Sequence, residues 1–236
     1  MKNDSLGDRM KGNYENRSRF HLTRRTPVII RLDGKAFHTF TKGCQKPFDV
    51  KIIKSMEETC KYLVENIQGC KMGYVQSDEI SLLLTDYDKL NTDAYFDYNI
   101  QKICSISASM ASVNFTISYG NMKGFYQPAH FDSRCFNIPK EEVINYFRWR
   151  YQDWLRNSIQ MLAQSLYSHK ELHGKKTPDL HDLCFQKGKN WNDLEPQFKN
   201  GTLFIKDGET IRPNYDFNLM SPWWLEYING VVEQGE

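Results

Sequence analysis

The chain has 236 residues, of which 40% are apolar, 14% aromatic and 25% charged, with a formal charge of +2. That size and balance fit one large or two small globular units, and exclude a low-complexity or repeat protein. Near-neutrality excludes capture of an acidic partner by bulk charge, so any nucleic-acid surface must be a local patch, and no apolar run approaches the ~20 residues of a membrane span.

Residues 1–27 are polar and basic, with Arg9, Lys11, Arg17, Arg19, Arg24 and Arg25 against the single acid Glu15 between positions 9 and 25. They read as a solvated entry segment or as a set of phosphate contacts. The segment lacks the apolar core of a signal peptide, and none of the six cysteines forms a CxxC pair. A cytoplasmic protein with reduced thiols is expected. Pro27 opens a first strand over 27–33, in which Arg31 and Asp33 share one face. Gly34 turns the chain into Lys35-Ala36-Phe37-His38, and Lys46-Pro47-Phe48-Asp49 forms a second turn. Asp49 is placed to cap a helix with apolar positions Ile53, Met56, Cys60, Leu63, Val64 and Ile67, ended by Gly69. Strands over 72–76 and 80–84 then form a hairpin with Asp78 near its tip.

A helix is expected over roughly 92–111, with small residues from Ser105 to Ser112 that permit close approach to the sheet. A short strand and loop follow between Ala129 and Ile138. Pro139 starts a further helix that runs to Leu166 with a break near Tyr151–Asp153. The chain is polar from 168, turns at Trp191, and forms a late strand over Thr202–Lys206. Trp223, Trp224, Leu225 and Tyr227 are expected to pack a closing element.

Asp33 and Asp78, each delivered to a strand end, suit a pair of Mg2+ ions, which prefer hard oxygen ligands and substrate phosphates. Gly34 allows close backbone approach, so its carbonyl is a candidate third ligand. Arg31, Lys35 and Lys46 offer charge to a triphosphate. Taken alone, an Asp-Gly after a strand reads equally well as a plain turn. His169, His173, His181 and Cys184 have spacing worth weighing as a zinc site, against which stand Gly174 and Pro178. His38 beside two phenylalanines reads either as a satisfied core residue or as a ligand contact.

Arg31-Leu32-Asp33-Gly34-Lys35-Ala36-Phe37-His38-Thr39-Phe40, together with Gln76-Ser77-Asp78-Glu79, resembles the signature of the tRNA-His guanylyltransferase family over roughly residues 5–205. The resemblance implies an α+β fold: a polymerase-like palm, with a ferredoxin-like antiparallel sheet and helices on one face, over 1–136. A C-terminal helical and strand extension over 137–236 would contribute to tRNA binding and assembly. It implies Asp33 and Asp78 as catalytic residues, with the Gly34 carbonyl completing a site for two Mg2+. ATP or GTP would be held by Arg31, Asp33, Gly34, Lys35, Ala36, Phe37, His38, Lys46, Asp49, Ser77, Asp78 and Lys102. Glu79 belongs to the motif but is not, by resemblance, a metal ligand. Lys170, Lys175, Lys176 and Lys187, with Arg150, Arg156 and Asn157, read either as a basic tRNA-contacting region or as a solvated loop; a homotetramer is the assembly the resemblance implies.

Where eukaryotic members carry His-Ile-Asn-Asn after Trp149-Arg150, this chain has Asp153-Trp154-Leu155-Arg156-Asn157-Ser158-Ile159. Arg-Asn-Ser-Ile resembles the bacterial and archaeal branch that repairs 5′-truncated tRNAs by template-dependent 3′-to-5′ addition. Addition of one G to tRNA-His remains the alternative. From other classes, a nucleotidyl cyclase and a non-catalytic tRNA-binding protein stay open.

Overall fold

The computed structural model describes residues 5–207 and 210–214, so the expected packing of Trp223, Trp224, Leu225 and Tyr227 lies outside the described residues. The core is one βαββαβ unit. Strand β1 (Val28–Gly34) leads through the short helix α2 (Phe37–Phe40) into α3 (Val50–Asn66). The hairpin β2 (Cys70–Gln76) and β3 (Glu79–Leu84) follows, then α4 (Ile100–Lys123) and β4 (Phe131–Asn137). The preceding segment carries helix α1 (Leu6–Asn13). The C-terminal part adds α5 (Lys140–Leu166), α6 (His169–Leu172), α7 (Thr177–Gln186), α8 (Pro196–Asn200), β5 (Thr202–Asp207) and β6 (Thr210–Asn214).

All strands join one antiparallel sheet in the order β4-β1-β3-β2-β5-β6. The first four have the ferredoxin-like order, as expected. Alternation along β1 divides the core. Val28, Ile30 and Leu32 pack with Met56, Leu63, Phe115 and other residues of α3 and α4. Ile29 packs on the opposite face with Val143, Tyr146 and Phe147 of α5. The extension is therefore built into both the second face and the edge of the sheet, through α5 and the β2–β5 pairing. The small residues of α4 do lie against the sheet: Ser107 and Ser133 hydroxyls meet at 2.8 Å, and Ser112 Oγ accepts from the Phe131 N–H at 3.1 Å.

Three local expectations are corrected. The helix read over 92–111 is α4, which starts at Ile100 and runs to Lys123, because Phe96, Asp97 and Tyr98 adopt positive φ and break the path before it. The break read near 151–153 is absent: α5 is continuous for 27 residues, and Asp153 pairs within it to Arg150 and Arg156. The polar stretch after 168 contains α7, whose Leu180 and Cys184 are buried against Ile159, Leu162 and Ala163. In the N-terminal segment, Arg24 Nε binds the fully buried Asp86 at 2.6 Å and Arg19 pairs with Glu15, so part of that basic run is structural.

Candidate active site

β1 carries Asp33 to the end of the sheet, where its neighbours in register are Glu79 on β3 and Asp132 on β4. The β2–β3 turn brings Asp78 to the same edge. Ser77 takes a positive φ of 49° there. The Gly34 N–H donates to the Asp78 carbonyl at 3.1 Å, and Ser77 Oγ donates to Asp78 Oδ1 at 3.0 Å. The two motifs read from sequence are thus hydrogen-bonded to each other. A Cβ on Gly34 would lie 2.2 Å from Phe37 Cδ2. Phe37 cannot yield, since it packs at 5.0–5.3 Å between ring centres against Phe40, Phe115 and Phe131. Gly34→Ala is expected to cost about 1–3 kcal/mol by overpacking, checked by thermal denaturation, with a larger loss of activity because Asp33 is displaced with it.

Burial holds both carboxyls above the usual carboxylate range. At Asp78 the charge of Asp33 adds to that effect. At Asp33 the charge of Asp132 adds to it, and Arg31, Arg134 and Arg150 oppose it. Two half-buried acids that resist ionisation together form a site short of positive charge. Two carboxylates delivered to one edge offer oxygen donors, the chemistry that suits Mg2+.

Next to this edge lies a cavity of about 410 Å³. Ser77, Asp78, His38 and Lys46 stand on its polar side, and Ile52, Phe48, Trp154 and Met161 supply an apolar wall. The loop that carries Lys46 has a cis Lys46–Pro47 bond. Phe48 behind it is buried, stacked on Phe198 at 5.0 Å and edge-on to Trp154 at 6.3 Å. Asp49 caps α3, accepting from the N–H of Lys51 at 2.9 Å and Ile52 at 3.4 Å, and from Gln45 at 3.2 Å. Burial alone would raise its pKa, but these three donors outweigh it and hold the carboxyl below its usual value. Asp49 therefore contributes stability above the ordinary carboxylate pKa that is lost as pH falls through its lowered value. Asp49→Ala is expected to cost about 1 kcal/mol at pH 7, a difference that disappears in denaturation curves taken at low pH.

The structure thus gathers Phe37, His38, Lys46, Asp49, Ser77 and Asp78 around one cavity, with Asp33, Gly34, Lys35 and Ala36 on the adjoining turn. It does not bring Lys102 there. That residue lies in the first turn of α4, over the Phe96 ring at 5.6 Å. The other end of α4, at Lys123, is the one whose charge reaches Asp49, roughly 30 Å along the helix axis. Arg31, expected at a triphosphate, pairs with Glu79 at 2.6 Å. Arg150, expected on the RNA surface, is 5% exposed and grips Glu79 with two hydrogen bonds, at 2.6 and 2.8 Å. Arg156 is exposed and bonded to Asp153 at 2.9 Å, and Asn157 reaches the same carboxylate at 3.4 Å. Lys187 sits over the Tyr167 ring at 5.3 Å. The zinc spacing does not assemble: among the described residues no cluster of three metal-ligating side chains exists, His181 packs edge-on to Trp191, and Cys184 is buried in the core beneath α7.

Sequence reasoning assigned no role to Asp132, Arg134, Trp149 or Asp153. Arg134 pairs with Asp132 at 2.8 Å beside Asp33. The Trp149 ring lies 4.4 Å from the Arg150 guanidinium and 5.8 Å from that of Arg31. Strand alternation could have flagged Arg134, which is the register partner of Arg31, but only once β4 was known to flank β1.

A family model described as tRNAHis guanylyltransferase matches residues 7–139. Two solved structures resemble the chain over 97% of its length and 100% of theirs. One is a bacterial tRNA(His) guanylyltransferase-like protein in complex with ATP, with TM-score 0.89 and 46% identity. The other carries the same description in complex with GTP, with TM-score 0.80 and 42% identity. A probable tRNA(His) guanylyltransferase of Drosophila melanogaster is 25% identical over 85% of this chain and 77% of its own. A protein of Acanthamoeba polyphaga mimivirus is 29% identical over 70% of this chain, and the match spans 64% of the viral protein, just under two thirds.

Proposed function

Because this chain belongs to the tRNA-His guanylyltransferase family, whose members are nucleotidyltransferases, we propose that it rebuilds truncated tRNAs by template-dependent 3′-to-5′ nucleotide addition. The observation that carries this reading is the single cavity that joins the Ser77-Asp78 turn, with Asp33 beside it, to the Lys46 loop. The two bacterial relatives solved with ATP and with GTP support a nucleotide as its occupant.

In this reading Asp33, Asp78 and the Gly34 carbonyl would hold two Mg2+, which when bound would supply Lewis-acid stabilisation of the attacking and leaving oxygens. Lys35, Lys46 and His38 orient the phosphates and offset their charge. Phe48, Trp154 and Met161 take the flat face of a base and exclude water from one side of the reacting phosphates. ATP or GTP transfers its nucleotidyl group to the 5′ phosphate of the RNA with loss of pyrophosphate, after which the 3′-hydroxyl of an incoming nucleotide attacks that phosphate and displaces AMP or GMP. Arg156, Asn157 and Lys187 remain the candidate RNA contacts. Arg150 leaves that set, since its guanidinium is committed to the buried Glu79 and the half-buried Asp153.

Repair is favoured over G addition to tRNA-His by Arg156-Asn157-Ser158-Ile159. It is favoured also by identity of 46% and 42% to the bacterial guanylyltransferase-like proteins against 25% to the fly enzyme. The reading includes a homotetramer, for which light scattering is expected to give four times 27.8 kDa, and a cytoplasmic location; among the described residues no helix is long and apolar enough to cross a membrane. The test is incubation with Mg2+, nucleotides and a labelled tRNA lacking its first nucleotide, run beside full-length tRNA-His. Extension of the truncated tRNA in preference to tRNA-His is expected. Activity on tRNA-His alone assigns the chain to G addition, and activity on neither contradicts both.

A further inference from the structure

Glu79 is the buried anion beside the two catalytic carboxylates, and both of its oxygens are engaged. It is 4% exposed. Oε1 accepts from Arg150 Nε at 2.6 Å; Oε2 accepts from Arg150 Nη2 at 2.8 Å and lies 2.6 Å from Arg31 Nη2. The two arginines differ in what else holds them. Arg150 also donates to Asp153 at 3.0 Å. Arg31 has no second carboxylate among the described residues; it rests on the Trp149 ring, and its Nε is buried without a hydrogen-bond partner.

Arg31 and Asp33 lie two residues apart on the same face of β1. Asp132, the other acid flanking Asp33, is already paired with Arg134. A guanidinium released from Glu79 would therefore find one unpaired carboxylate within reach on its own strand face. A charge-assisted fork on that carboxylate would occupy the lone pairs a cation needs.

We propose that Glu79 is a positioning residue that holds Arg31 away from Asp33 and so keeps that carboxylate open to a divalent cation. The proposal rests on the reading of Asp33 and Asp78 as a cation site. It gives Glu79 a role without ligation: the acid next to Asp78 in the turn acts through Arg31, while the positive charge stays close enough to meet a phosphate.

Mn2+ binding to the full chain, followed by electron paramagnetic resonance without nucleotide or RNA, tests this. Glu79→Gln is expected to weaken Mn2+ binding about tenfold or more, the usual scale for outer-shell changes at metal sites. Glu79→Gln/Arg31→Gln is expected to return it to within about threefold of the unsubstituted protein, since the guanidinium groups that remain near Asp33 are held elsewhere, Arg134 by Asp132 and Arg150 by Asp153. The double variant removes one charge of each sign, so it carries the test even if Glu79→Gln alone does not fold. Unchanged binding in Glu79→Gln overturns the proposal, as does a double variant that stays weak, which would make Glu79 itself necessary. Absence of Mn2+ binding in the unsubstituted protein overturns the cation reading, and this proposal with it.

Discussion

Asp33→Asn and Asp78→Asn are each expected to lower nucleotidyl transfer about a thousandfold or more while melting at or above the temperature of the unsubstituted protein. The two effects share a cause. Burial pushes both carboxyls upward, helped by the charge of Asp132 at Asp33 and by that of Asp33 at Asp78. A carboxylate whose folded pKa is raised imposes a penalty that is present above that pKa and relieved as pH falls through it. At neutral pH these two acids therefore destabilise the fold, and the neutral amides remove the penalty. The same change removes the charge that attracts a cation and tolerates the phosphates beside it. Melting curves and single-turnover assays on the same samples check both halves. A marked drop in melting temperature would show instead that these acids hold the fold together, and would weaken their assignment as functional groups. The trade of stability for activity is the pattern expected of a functional site.

The second large effect is structural. Arg150→Met is expected to destabilise the chain by about 3 kcal/mol, near the lower end for breaking a buried pair, because Arg31 remains to compensate part of the Glu79 charge. Arg150 ties α5 to the Asp33–Asp78 edge through Glu79, and its guanidinium also lies over Trp149 at 4.4 Å. Arg150→Lys keeps the charge but loses the fork, so it should fall between the two. Urea denaturation measures both variants. Equal stability of all three proteins would mean that the α5 contact is carried by Val143, Tyr146 and Phe147 alone.

The meeting of Asp33 and Asp78 at one edge was legible from local signals: an apolar run into Asp33-Gly34, and a hairpin with Asp78 at its tip. Each signal is weak alone, and the family motif joined them; the Gly34–Asp78 hydrogen bond is their physical connection. The cavity was legible in part, because Lys46 and Asp49 follow the same strand. Its far wall was not, since Trp154 and Met161 reach it from α5 across more than a hundred residues of chain. Lys102 looked like a phosphate contact by alignment, but the direction of α4 puts its first turn at the wrong end of the sheet. Arg150 looked like a surface cation because sequence does not reveal that Glu79 faces it. Asp153 looked like a helix break, yet its pairs with Arg150 and Arg156 make a polar stretch a good helical turn.

On this proposal one nucleotide site spans the Asp33–Asp78 edge and the Lys46 loop. A crystal structure of the full chain with ATP and Mg2+ tests it most directly. The triphosphate is expected between Lys46 and the Asp33 and Asp78 carboxylates, with the base against Phe48, Trp154 or Met161. ATP bound elsewhere, with this cavity empty, would contradict it.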